Sequence, residues 1–323
     1  MRIRHVFTMG VACLGLMWSL LASAQGFPTK PLRIVVPFGA GGVADLTART
    51  VAQKMSEGLG QSVVIENRPG AGGIVAAETV AKSEPDGHTL LLISNANAIS
   101  ASLFQNLPID QLKDFSPVSL MGLFDLAIVT SADSKFQTLQ QVLDYARANP
   151  GKLNIGSINI GSTQHLTAEL FKSVANLDAQ VVPYNGTPAV VTALRGGQVD
   201  VAVEVLSPVL PQIKGNVLRP LAVTSAKRSA VLPQVPTAKE TGLTQLVSSS
   251  WNGLAVPAKT PKEVVERLNR EVGIALQDPA VIKRLQDLNI DPHPSTPAQT
   301  REWMQSEIKR WAEVIQRAGI PKQ

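Results

Sequence analysis

Apolar and polar positions along the chain repeat in one order: a short, β-branched apolar run, then a longer stretch with helical spacing. The runs that read as strands are 32–37 (LRIVVP), 62–66 (SVVIE), 88–93 (HTLLLI), 126–130 (LAIVT), 153–156 (LNIG), 180–184 (QVVPY), 199–203 (VDVAV) and 218–224 (LRPLAVT). Helix starts are readable between them. Thr138-Leu-Gln-Gln141 has the form of a capping box before VLDYARANPG, which Pro150-Gly151 ends. Thr187-Pro188 reads as N-cap and first helical residue before AVVTALRGG, closed by Gly196-Gly197, and Thr260-Pro261-Lys262-Glu263 repeats the signature. Near the C-terminus, Met304, Ile308, Trp311 and Ile315 fall on one helical stripe, a packing face.

Strand–helix alternation at this spacing predicts an α/β fold with mainly parallel sheets flanked by helices. No internal repeat, low-complexity tract or long linker interrupts the pattern. The length suffices for two domains, and without a linker the two must be joined by strands that cross between them. The expected path leaves the first domain near 124 and returns near 249, with the helices from 261 onward packing back on it. Domain 1 is then 25–124 and 249–323, and domain 2 is 125–248.

Four strand-to-helix junctions share one chemistry of small residues, glycine and uncharged hydrogen-bonders: 38–45 (FGAGGVAD), 94–100 (SNANAIS), 156–165 (GSINIGSTQH) and 184–189 (YNGTPA). In open α/β sheets, ligands bind outside the carboxyl ends of strands. Each junction there presents unpaired N–H groups and the positive end of a helix dipole. Several such termini around one cleft hold a small anion without Arg or Lys. Each terminus is worth up to ~2 kcal/mol and each charge-assisted hydrogen bond about 1.5–3 kcal/mol. A handful reaches the roughly −8 kcal/mol of a micromolar binder.

The first junction taken alone leaves a second reading open. Gly39, Gly41 and Ala44 satisfy G-x-G-x-x-A, and Glu66 stands where a ribose-binding acid of a dinucleotide enzyme would stand. Single residues are ambiguous too. Asp45 either contacts ligand through water or accepts loop N–H groups in the first helical turn. His165 is either a ligand-side donor or a packing residue. Glu204, an acid inside the apolar run VAVEVLSP, either pairs internally or faces the cleft and selects an ammonium or hydroxyl group.

Composition narrows the classes. MRIRHVFTMGVACLGLMWSLLASAQG has a positive n-region, an apolar run over 6–21 and a small-residue site at Ala22-Ser23-Ala24, the pattern of a secretory signal. Cleavage after Ala24 would remove 24 of the 323 residues, including Cys13, the one cysteine. A periplasmic chain without a disulfide follows. The net charge of +5 falls to +3 with Arg2 and Arg4, and the remaining basic residues are scattered, unlike a nucleic-acid surface. His88, His165 and His293 lack ligand spacing, so no zinc site and no cofactor is expected. There is no G-x-S-x-G elbow, and a Ser162–His165 pair as nucleophile and base has no supporting pattern. A binding protein is expected, not an enzyme.

With these segments in hand, the chain resembles the Bug-type substrate-binding receptors of tripartite tricarboxylate transporters. The resemblance is carried by PLRIVVPFGAGGVADLTAR, VVIENRPGAGGIVAAETVAKSEPDGHTLLL, ANPGKLNIGS followed by GSTQHLTAELF, and VPYNGTPAVVTALRGGQVDV. LRPLAVTSAKRSAVLPQVPTAKETGL, WNGLAVPAKTP and RLNREV extend it along the rest of the chain. It implies a two-domain, type II-like periplasmic binding protein that closes like a clamshell on a small carboxylate. In that family the carboxylate meets backbone amides of a first loop and of a Gly-Ser loop in the second domain, partly through ordered water.

Carried over, the first loop is Phe38, Gly39, Ala40, Gly41 and Gly42 with Asp45. The second is Gly161, Ser162 and Thr163 with His165, joined by Tyr184, Asn185 and Gly186; Asn95 and Glu204 complete the expected site. Asn159 stands where the family often has glycine, and Phe124-Asp125 where a proline-containing stretch is common. Asp125 and Glu204 together would make the cleft acidic, which favours small carboxylates, amino acids, nicotinate-like ligands or neutral amides over citrate. A monomer serving a tripartite membrane permease is expected. An exported sensory module and the dinucleotide enzyme are the alternatives.

Overall fold

The computed structural model describes residues 26–323; the expected signal segment, its cleavage site and Cys13 lie outside the described residues. Among the described residues there are ten strands: β1 (Leu32–Val36), β2 (Val63–Asn67), β3 (Thr89–Ser94), β4 (Phe115–Ser131), β5 (Leu153–Ile158), β6 (Ala179–Tyr184), β7 (Val201–Val205), β8 (Leu218–Val223), β9 (Ser249–Pro257) and β10 (Ile290–Pro292). The helices are α1 (Val43–Leu59), α2 (Ile74–Ala81), α3 (Asn95–Leu103), α4 (Leu139–Ala148), α5 (Thr163–Val174), α6 (Thr187–Arg195), α7 (Leu206–Lys214), α8 (Lys262–Gln277), α9 (Pro279–Asp287) and α10 (Pro297–Arg317).

The strands run in the order β2-β1-β3-β9-β4-β7-β5-β6, with β8 and β10 also on β4. Strand–helix–strand units make the two flanks parallel: β1 with β2 and β3, and β5 with β6 and β7. The middle is antiparallel, because β4 and the returning β9 run against each other. Along β4 the partners change. Phe115–Asp125 pairs with β9, whereas Leu126–Val129 pairs with β7 and Ala127–Ser131 with β8. One strand of 17 residues therefore belongs to both halves of the sheet.

Gly253 on β9 shows how tightly the crossing strands lie. A Cβ there would stand 2.8 Å from the Ser119 carbonyl oxygen of β4, closer than real contacts allow. A second, smaller apolar core, built around Val129, Val190, Leu194, Val209 and Leu210, sits under α6 and α7. The stripe of α10 packs as its spacing predicts, with Met304, Trp311 and Ile315 buried and Ile308 half-buried. Glu307 lies among them. Its Oε2 accepts from the indole N–H of both Trp251 and Trp311, at 3.3 and 3.1 Å, which pairs a buried acid with two apolar anchors.

Several boundaries differ from the pattern-based expectation. The strand expected at 126–130 runs from 115: Ser116, Pro117, Ser119 and Gly122 interrupt the apolar run, and pairing to β9 continues through them with two register shifts, at Pro117/Ser119 and Leu120/Gly122. Neither β9 nor β10 is announced by a β-branched run. Helix α6 starts one residue early, with Gly186 as N-cap and Thr187 already helical, since the Thr187 hydroxyl is drawn inward to Glu204. Pro261, not Thr260, precedes α8. Thr138 caps α4, but Gln141 reaches the N–H of Gln137 instead of returning to the cap residue.

Candidate functional site

The β1–α1 loop is shaped by two glycines with separate tasks. Gly41 has φ +81, the left-handed region that an L side chain enters at a cost. Gly42 is the N-cap of α1 in extended conformation, and no side chain caps that helix. Asp45, fully inside the first turn, holds the loop: it accepts from the Gly41 N–H, from Arg49 Nε and from Asn67 Nδ2, all at 3.0 Å. Asn67 Nδ2 also donates to the Phe38 carbonyl. Burial pushes the Asp45 carboxyl up, but hydrogen bonds from Arg49, Gly41 and Asn67 outweigh it and leave the group below its ordinary range.

The opposite half repeats the device. Gly161 has φ +82, and Ser162 caps α5 by accepting from the His165 N–H at 3.1 Å while donating to the Ile158 carbonyl at 3.0 Å. Gly186, φ +96, starts α6, and Val205 starts α7; neither helix has a side-chain cap. Ser94 caps α3.

These starts converge on one inner chamber of about 50 Å³. The first half gives it Phe38, Gly42, Val43 and Ala44, the cap residue Ser94, Phe124 of β4, and Ser250 and Asn252 of β9. The second half gives Ile158, Thr163, Gln164, Thr187, Val205 and Pro208. The N-terminal ends of α1, α3, α5, α6 and α7 thus face one space whose lining contains no charged side chain. Phe38, Gly42, Ile158, Thr187 and Pro208 also border an outer vestibule of about 500 Å³, to which Gly39, Ala40, Gly41, Asn159, Asn185 and Gly186 contribute. Chemically, the arrangement offers N–H and hydroxyl donors at the positive ends of five helices, an environment for an anion.

The expected residues distribute unevenly over it. Phe38, Gly42 and Thr163 line the chamber; Gly39, Ala40, Gly41, Asn185 and Gly186 line the vestibule and not the chamber. Tyr184 borders a separate depression with Asn159, Ile160 and Phe104. Gly161, Ser162, Asp45, His165, Asn95 and Glu204 border neither space. Asn95 is buried and donates to the Ser249 carbonyl at 3.0 Å, where β9 begins. His165 is buried with Nδ1 unpartnered, and burial lowers its pKa. Asp125 meets Asn289 Nδ2 at 3.3 Å, on the strand face opposite Phe124. Glu66 is paired with Arg33 at 3.1 Å and with Arg68, so the acid of the dinucleotide pattern is engaged elsewhere.

Glu204 is fully buried; its Oε2 accepts from the Thr187 hydroxyl at 3.0 Å and its Oε1 has no partner. Burial pushes its carboxyl up to about 8, against smaller opposing contributions from Thr187, Gln164 and the Val205 N–H. The chamber residues the sequence reading missed are Val43, Ala44, Ser94, Phe124, Ile158, Gln164, Thr187, Val205, Pro208, Ser250 and Asn252. Most sit at the four junctions already singled out. Ser250 and Asn252 carried no local signal beyond the expected return near 249.

The model of the tripartite tricarboxylate transporter family receptor matches residues 47–320. Protein BugT of Bordetella pertussis is 37% identical over 299 residues, 92% of each chain. The structure of periplasmic binding protein BugD superposes with a TM-score of 0.87 at 30% identity, covering 92% of this chain and all of that one. R. palustris Rpa4515 with adipate superposes with a TM-score of 0.88 at 33% identity, covering 92% and 99%. With the two-domain periplasmic binding protein fold and a chamber ringed by helix N-termini, the chain belongs to the tripartite tricarboxylate transporter receptor family.

Proposed function

We propose that the chain, a periplasmic solute-binding receptor, captures one carboxylate group of a small ligand in the inner chamber, the rest of the ligand extending into the vestibule. The observation that carries this reading is the convergence of five helix N-termini, three without a side-chain cap, on a space without a charged side chain. A ligand carboxylate would supply the caps those helices lack. A chamber of about 50 Å³ has room for roughly four waters, hence for one carboxylate and not for a whole dicarboxylate. A dicarboxylate such as the adipate of the R. palustris protein fits the two spaces taken together. Entry then requires the halves to part, and closure requires tighter binding in the closed state.

The hinge in this reading lies where β4 changes partners and β9 begins, which gives domain 1 as 25–124 and 249–323 and domain 2 as 125–248. The same reading includes signal removal after Ala24, a monomer, delivery to a tripartite permease and no catalysis. The test is thermal unfolding of residues 25–323 against mono-, di- and tricarboxylates, acidic amino acids, nicotinate, nicotinamide and NAD. A ligand bound only by the folded state raises the midpoint by mass action. A rise with one carboxylate class is expected. A rise with NAD alone would replace this reading by the dinucleotide one.

A further inference from the structure

Glu204 is a fully buried acid on β7 that forms no ion pair, and one of its oxygens lacks a partner. Such a group is costly unless it carries a proton or serves a neighbour. The surrounding elements offer it no charge. Ala127 is its partner on β4, Thr187 faces it from α6, Gln164 from α5, and the Val205 N–H lies beside it; none of these groups is charged. On α5 the titratable group is His165, which burial holds toward neutrality and on which Glu169 and Lys172 act with opposite sign. Asp125 on β4 is turned to Asn289. Thr187 and Gln164, by contrast, both line the chamber. Glu204 therefore stands one hydrogen bond behind the surface that would meet the ligand.

We propose that Glu204 is a positioning residue for the captured carboxylate: when protonated it donates to Thr187 Oγ1, which leaves the Thr187 hydroxyl hydrogen free to point into the chamber at the ligand. The proton stays on Glu204 throughout. When Glu204 is ionised, the same 3.0 Å contact reverses. The Thr187 hydrogen turns back to Oε2, the chamber loses a donor, and a negative charge stands behind the site where an anion must sit. Capture of an anion and retention of this proton are then linked. Because burial pushes the carboxyl up to about 8, the proton is held at neutral pH and lost in mild alkali. This inference rests on the carboxylate reading of the chamber.

The experiment is calorimetric titration of residues 25–323 with adipate, malate and succinate at pH 7, 8 and 9, in two buffers of different ionisation enthalpy. These ligands are fully ionised across that range, so a change of affinity belongs to the protein. For the wild type, Kd rises toward a limiting slope of about tenfold per pH unit above pH 8, and binding at pH 8 takes up part of a proton. In Glu204→Gln the amide donates to Thr187 at every pH, so the ratio of Kd at pH 9 to pH 7 falls to near one and proton uptake disappears. Thr187→Val weakens binding and makes the profile shallower, since only the charge of ionised Glu204 then remains, and it carries the test if Glu204→Gln does not fold; Thr187→Ser, which keeps the hydroxyl, keeps the wild-type profile. A flat wild-type profile, or a wild-type profile in Glu204→Gln, overturns the role of Glu204 and leaves carboxylate capture standing. Absence of binding by every anion at every pH overturns both.

Discussion

Thr163 at the start of α5 and Ser250 on β9 share a hydroxyl–hydroxyl hydrogen bond of 3.1 Å across 87 residues of sequence. One turn further along α5, Thr167 meets Ser248 at 2.7 Å. Both pairs tie the helix that bears the second glycine loop to the strand that returns the chain, and Thr163 and Ser250 both line the chamber. Thr163→Val should leave the Ser250 hydroxyl buried and unpaired, a loss of about 1–2 kcal/mol. Urea denaturation of Thr163→Val, of Ser250→Ala and of the double variant checks this. The two losses should combine to less than their sum, because the residues share one interaction.

The two glycines of the first loop should respond differently. Gly41→Ala meets no atom within 4 Å but must adopt φ +81, which predicts a destabilisation of about 1 kcal/mol in thermal or urea unfolding.

Gly42 has ordinary φ, and a Cβ there meets only the Gly39 carbonyl at 3.6 Å, an ordinary contact. Gly42→Asp places a carboxylate at the uncapped start of α1, where it can cap the helix itself. Stability should hold or rise by about 0.5–1 kcal/mol, while affinity for a carboxylate probe falls at least tenfold as the built-in anion takes the ligand's place. Paired unfolding and titration measurements separate this from a folding defect. Unchanged affinity would remove the first loop from the site.

Asp45 links the loop to acid stability. Its folded-state pKa is depressed, so its contribution is present above its ordinary value of 3.8 and is lost as pH falls through the lower folded value. Asp45→Asn should cost about 1–2 kcal/mol at pH 7, since it breaks the contact with Arg49 and weakens the hold on Gly41. The gap between variant and wild type should shrink toward pH 3 in a series of midpoint measurements.

Glu204 predicts the opposite slope. Its folded pKa, about 8, exceeds its ordinary 4.5, so the stability it contributes is complete below pH 4.5 and disappears as pH rises through 8. The midpoint of Glu204→Gln relative to wild type should therefore rise between pH 5 and pH 9 by several degrees. A constant difference over that range would mean that Glu204 is ionised throughout.

Much of this protein was legible before its structure. The α/β class follows from apolar runs alternating with helical stretches, because parallel strands covered by helices are mainly apolar: β1 and β3 are almost wholly buried, and the polar positions of the flanks are few. The chemistry of the site was legible too, since glycine, serine and threonine at a strand end are local requirements of a tight turn and an open helix start. What the tertiary structure decided was non-local. The pairing of β4 with β9 does not depend on an unbroken apolar run, so the strand at 115–125 was invisible, and Ser250 and Asn252 reach the chamber only because β9 returns beside β4. Burial likewise decided between the two roles open to each acid. Asp45 turned inward to Arg49 and Asn67, whereas Glu204 was enclosed behind Thr187 with no charge to meet it. Local composition says which residues can hold an anion. Only the packing of distant segments determines which of them face the same space, because that depends on contacts between residues far apart in the chain.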